Sequence, residues 1–137
     1  MNMVRRSVFV VLLAVLLLPL VATADEQIPL KSVSDLKGNW SGSAGLGPFG
    51  SSATLTVQYT IKGDGTFTGV AKPRSTQEGG GTFQGSYEPK PDGSAGYATT
   101  GSTGTWRLFD VNGARVLRFE GRSRGGQPNW SEITQEK

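Results

Sequence analysis

The stretch Ala53-Thr54-Leu55-Thr56-Val57-Gln58-Tyr59-Thr60-Ile61-Lys62 decides the fold class. Leu55, Val57, Tyr59 and Ile61 occupy alternate positions, and Thr54, Thr56, Gln58, Thr60 and Lys62 fill the positions between them. A β-strand turns successive side chains to opposite faces, so this stretch reads as a strand with one buried and one wet face. Gly63-Asp64-Gly65 follows, and glycine and aspartate tolerate the positive φ of a tight turn. Thr66-Phe67-Thr68-Gly69-Val70 then returns as the partner strand.

The same reading extends in both directions. Short β-type segments run over Gly38–Ser43 with Trp40, Thr82–Glu88 with Phe83 and Tyr87, Ala95–Thr100 with Tyr97, and Thr105–Asp110 with Trp106 and Leu108. Val111-Asn112-Gly113 is a hairpin signal, answered by Ala114–Arg122 with Leu117 and Phe119. Asn129–Gln135 closes the chain around Trp130. Apart from one short helical turn expected near Ser32–Leu36, no run of ten or more residues shows a 3.6-residue period. Two polar or glycine-rich loops, Gly45–Ser52 and Pro73–Gly80, are expected as lips at the mouth of a barrel.

A weak repeat links the segments: Gly38-Asn39-Trp40-Ser41-Gly42, Gly65-Thr66-Phe67-Thr68-Gly69, Gly81-Thr82-Phe83-Gln84-Gly85 and Gly104-Thr105-Trp106. Each sets a glycine and a small polar residue before an aromatic one. The aromatic is expected to point inward, with glycines two residues away leaving room for a neighbour's ring or permitting sharp coiling.

Eight short strands with an alternating apolar face form either a sandwich or a barrel. Hairpin follows hairpin here, with no long connection that a Greek key needs. Closure removes the free edges at which an open meander would aggregate. The expectation is all-β: an eight-stranded antiparallel up-and-down barrel, wide enough for packed side chains or one small ligand.

Asp35-Leu36-Lys37-Gly38-Asn39-Trp40 resembles the G-x-W opening of lipocalins and their calycin relatives, which include avidin-like barrels and small periplasmic protease-inhibitor barrels. The resemblance implies a lipocalin-like barrel in which Trp40 closes the floor. It also implies an arginine from a late strand packed across that tryptophan, with Arg118, Arg122 and Arg124 as candidates. The chain departs from the inhibitor barrels in having no cysteine, and hence no disulfide.

The N-terminus carries Arg5 and Arg6, an apolar run from Val8 to Val21, and Ala22-Thr23-Ala24 before Asp25. A basic region, a short apolar region and an A-x-A site are the marks of a secretory signal. The run is too short for a spanning helix, which needs about 20 apolar residues. The expected organisation is a signal peptide over 1–24, a polar lead-in over 25–37 and the barrel over 38–137, in the periplasm or outside the cell. Removal of 1–24 takes two of the 14 basic residues and none of the 11 acidic ones, leaving a side-chain balance near neutrality. Nucleic-acid binding, which is driven by clustered cations, is therefore not expected.

Histidine and cysteine are both absent, which excludes histidine acid–base chemistry, thiol nucleophiles and thiolate metal sites. Gly45-Leu46-Gly47-Pro48-Phe49-Gly50 matches G-x-G-x-x-G literally, but no crossover helix follows, so it reads as a loop. Asp64, Asp92 and Asp110 lack calcium-loop spacing and read as turn formers. Asn39-Trp40-Ser41 and Asn129-Trp130-Ser131 suggest that Trp40 and Trp130 meet where the first and last strands close the barrel. No carboxylate pair is placed for catalysis, so an enzyme, a metal and a cofactor are not expected.

The aromatic interior supplies the candidate ligand-binding set: Trp40, Tyr59, Phe67, Phe83, Tyr87, Tyr97, Trp106 and Phe119. The tyrosines serve as polar handles for a small apolar or aromatic ligand. The competing expectation is a protein-interaction module, such as an inhibitor of a secreted hydrolase, with a filled core.

Overall fold

The computed structural model describes residues 25–137. The signal peptide expected over 1–24 lies outside the described residues. After β1 (Glu26–Ile28) and a 3-10 turn (Val33–Leu36), eight strands follow. They are β2 (Gly38–Leu46), β3 (Leu55–Ile61), β4 (Thr66–Pro73), β5 (Gly81–Pro89), β6 (Ala95–Thr99), β7 (Ser102–Val111), β8 (Ala114–Ser123) and β9 (Pro128–Gln135). From β2 to β9 each strand pairs antiparallel with the next, and β9 pairs back onto β2. The result is the closed eight-stranded up-and-down barrel read from the sequence. No helix among the described residues is long and apolar enough to cross a membrane.

The ninth strand, β1, lies within the stretch expected as a polar lead-in. Its cause is the length of β6, which covers only Thr103–Trp106 of β7. Beyond that point β7 would show an open edge, and β1 takes it, pairing Ile28 with Leu108 and Glu26 with Asp110. An unpaired edge invites intermolecular pairing, and β1 blunts this one.

One end of the barrel is closed. Leu36, on the 3-10 turn, is fully buried, and Trp40 at the start of β2 donates from Nε1 to its carbonyl at 2.9 Å. Ile61, Leu108, Leu117 and Ile133 fill the same end without exposure. Above them sits an aromatic cluster: Phe67 stacks on Tyr97 with centroids 5.0 Å apart, and Trp106 lies 5.1 Å from Phe67 and 4.9 Å from Tyr97. Each large ring removes 150–250 Å² from water, so this cluster dominates the stability of the barrel.

The repeated glycine–aromatic module explains how so many rings fit. Across β4 and β5, Phe67 faces Gly85 and Phe83 faces Gly69. A Cβ on Gly85 would come within 2.7 Å of the Phe67 ring. The second glycine of each module is the seat for the other module's ring. The three aspartates act as turn formers: Asp64 Oδ1 accepts from the Thr66 N–H at 2.9 Å, Asp92 Oδ1 from the Ser94 N–H at 3.0 Å, and Asp110 Oδ1 from the Gly113 N–H at 2.8 Å.

Two expectations need correction. Trp40 and Trp130 do not meet: the closing register sets Trp40 opposite Gln135 and Trp130 opposite Gly45, toward opposite ends of the seam. Trp130 faces outward and packs edge-on to Phe49 at 5.5 Å. The two loops are not lips over the mouth. Gly47–Ala53 folds against the outer wall through Phe49, and the Pro73–Gly80 loop leans on the outside of β3, where Thr56 Oγ1 donates to Gln77 Oε1 at 3.3 Å.

Candidate functional site

The open end holds a cavity of about 340 Å³. Ala44, Leu55, Ala71, Phe83 and Phe119 form its apolar wall, and Tyr59, Tyr97, Ser102, Asn129 and Ser131 bring polar atoms. Lys, Arg, Asp and Glu are absent from the lining. The volume falls within the range of small-molecule sites, as does the mix of apolar wall and few polar groups.

The alternation of β3 places Leu55, Val57 and Tyr59 inward, from rim to depth. The Tyr59 hydroxyl lies 3.2 Å from the Tyr97 hydroxyl, a hydrogen bond in which either can donate. Burial raises the pKa of both phenols. Tyr59 is held well above its ordinary value, first by its burial and then by the neighbouring Tyr97 phenol, whose ionised form would repel a second negative charge. The Ser131 hydroxyl stands close enough to favour the Tyr59 phenolate, yet it completes no hydrogen bond. Both tyrosines are therefore neutral donors and acceptors at physiological pH.

The eight aromatic candidates divide. Tyr59, Phe83, Tyr97 and Phe119 line the cavity. Trp40, Phe67, Tyr87 and Trp106 do not: they fill the closed half and the centre. The Tyr87 hydroxyl donates to the Val33 carbonyl, tying β5 to the 3-10 turn at the far end from the mouth.

The arginine beside Trp40 is Arg115, rather than Arg118, Arg122 or Arg124. Its guanidinium lies 5.9 Å from the Trp40 ring centre, donates from Nη2 to the Asp35 carbonyl at 2.7 Å and from Nη1 to Gln135 Oε1 at 3.1 Å. The reason is strand parity. Arg115 shares the inward face of β8 with Leu117 and Phe119, at the closed end. Arg118 and Arg122 fall on the outward face, and Arg124 lies in the β8–β9 turn at the open end. Arg118 instead pairs with Asp25 at 2.7 Å and Glu132 at 2.9 Å, and covers the Phe109 ring at 4.6 Å.

Sequence reasoning missed Asn129 and Ser131. Both point inward from β9, on either side of a Trp130 that faces out. The inward Ile133, read back in steps of two, carries the signal that places them.

No group of three or more potential metal-ligating side chains occurs among the described residues. Protein-family models, curated proteins and solved structures were compared with the chain, and none matches it.

Proposed function

We propose that the chain is an exported, calycin-like binding barrel that takes a small apolar or aromatic molecule into its mouth and performs no covalent chemistry on it. The observation that carries this reading is the 340 Å³ cavity, with apolar walls and two buried phenol hydroxyls at its depth. Such a site binds by burial and orients its guest by a few hydrogen bonds. The calycin assignment is supported by the strand order together with Trp40 and Arg115 at the closed end. The inhibitor reading asks for a core packed solid throughout, and the hollow mouth weighs against it.

Native mass spectrometry of the chain recovered from its producing cell tests the binding reading. The expected result is a small-molecule adduct that disappears on denaturation and is excluded by Ala44→Phe, which fills the cavity. A bare mass that also fails to take up a neutral two-ring aromatic would overturn it. N-terminal sequencing tests export: a chain beginning at Asp25 supports it, and a retained Met1 sinks it.

A further inference from the structure

Three consecutive residues of β9 invert the usual order of apolar inside and polar outside. Asn129 and Ser131 face the interior, opposite Gly121 and Phe119 of β8 and Leu46 and Ala44 of β2, and the apolar Trp130 between them faces out. The inversion falls on the wall of the mouth cavity. A sequence that departs from its own binary pattern does so most often at a functional site.

Four buried side-chain polar atoms among the described residues have no hydrogen-bond partner, and three belong to this run: Asn129 Oδ1, Trp130 Nε1 and Ser131 Oγ. Buried polar groups are nearly always paired, so each exception calls for an explanation. Ser131 is 2% exposed. Its hydroxyl lines the cavity beside Tyr59 without a bond to it.

Donor accounting fixes which way Asn129 faces. The Ser102 hydroxyl has one hydrogen, and it donates that hydrogen to the Arg122 carbonyl at 3.2 Å. Ser102 Oγ can therefore only accept from Asn129, which donates from Nδ2 at 3.1 Å. The amide is locked, and its Oδ1 is left as an acceptor with nothing to accept. The Ser131 hydroxyl, free to rotate, adds a second acceptor nearby in sequence and on the same face.

We propose that the mouth cavity recognises a neutral, mainly apolar molecule carrying one O–H or N–H donor, which Asn129 Oδ1 and Ser131 Oγ receive. The inference rests on the cavity-binding reading above and narrows it. Anions are disfavoured because no cation lines the cavity. A pure hydrocarbon leaves both groups unpaired, and an ether, which can only accept from the Ser131 hydroxyl, still leaves Asn129 Oδ1 with nothing to accept; that loss is what discriminates against them.

The test is calorimetric titration of the full chain with 2-naphthol and with 2-methoxynaphthalene, which share two rings and differ in the donor. The expected result is about tenfold tighter binding of the naphthol, the worth of one hydrogen bond in a dry site. In Ser131→Ala combined with Asn129→Leu the preference falls to about onefold. Ser131→Ala alone removes an unpaired hydroxyl and keeps the thermal midpoint, so a lost preference there reports recognition rather than unfolding. Equal binding of the two probes by the native chain, or a preference that survives both substitutions, overturns the inference and leaves the cavity reading intact. Binding of neither probe overturns both.

Discussion

Phe83 rests on Gly69, its partner across β4 and β5, so closely that a Cβ on the glycine would lie 2.2 Å from the Phe83 ring. That ring is also part of the cavity wall. A methyl group at position 69 must push it into the mouth. Gly69→Ala is therefore expected to cost about 1–3 kcal/mol, the range for overpacking, and to weaken uptake of a two-ring ligand. Gly81→Ala is the control, because nothing lies within 4 Å of its Cβ position. Urea midpoints separate the two: a shift for Gly69→Ala no larger than for Gly81→Ala refutes the seat.

Arg115 ties the closed end together through Asp35, Gln135 and Trp40. Arg115→Met leaves the half-buried Asp35 carbonyl without its donor and is expected to destabilise by about 1–3 kcal/mol, as loss of hydrogen bonds from a charged group does. Arg118→Met loses partly exposed ion pairs, typically worth about 1 kcal/mol or less, and the cation over the Phe109 ring, while the methionine still covers that ring. Hydrogen exchange should show Val33–Leu36 deprotected in Arg115→Met alone. Equal deprotection in both variants would remove Arg115 from the role.

Tyr59 and Tyr97 give the fold an alkaline limit. Burial raises both pKa values in the folded chain above the ordinary 10.0. The unfolded chain therefore ionises first as pH rises. Stability from these groups is fully present below about pH 10 and is lost as pH climbs through the raised folded values. Thermal midpoints followed upward from pH 9 should fall, and Tyr59→Phe should flatten that fall. An unchanged slope in the variant counts against the buried pair.

The acid side has a different origin. The carboxyl of Asp35 is held below its ordinary 3.8 first by the backbone N–H of Lys31 and then by that of Ser32. Its contribution is present above about pH 4 and is lost as pH falls through the lowered value. Asp35→Asn is expected to flatten the acid limb of the stability curve. A parallel acid limb in the variant would show that Asp35 carries none of it.

Phe49 covers Trp130 on the outer wall. Phe49→Ala should expose that indole, seen as a red shift and stronger iodide quenching of tryptophan emission. The chain has three tryptophans, and Trp40 and Trp106 are fully buried, so Trp130 would dominate the change. Unaltered quenching would mean that the loop does not shield it.

The barrel was legible because each strand carries its own evidence: alternation over Leu55–Ile61, turn residues at Gly63–Gly65, and a glycine–aromatic module at the start of four strands. What stayed hidden depends on lengths and parities that only the whole sheet sets. β1 is three residues with no pattern, and it exists because β6 stops short. Arg115 could not be told from Arg118 until the closed end of β8 was known. Asn129 and Ser131 are obscured because the residue between them, Trp130, is the large apolar one. Burial on the outside of a barrel under a loop leaves no period-two trace.

The seam between β2 and β9 has a consequence in time rather than in space. Every other pairing within the barrel joins strands next to each other along the chain, whereas the seam sets Trp40 against Gln135. Loops closed over such a span are entropically slow to form, and folding rates fall as contacts become less local. The hairpins can therefore assemble early into an open sheet whose two outer strands wait with bare edges. Refolding yield should then depend on protein concentration more steeply than native stability does, because the interval before closure is when strands of different molecules can pair.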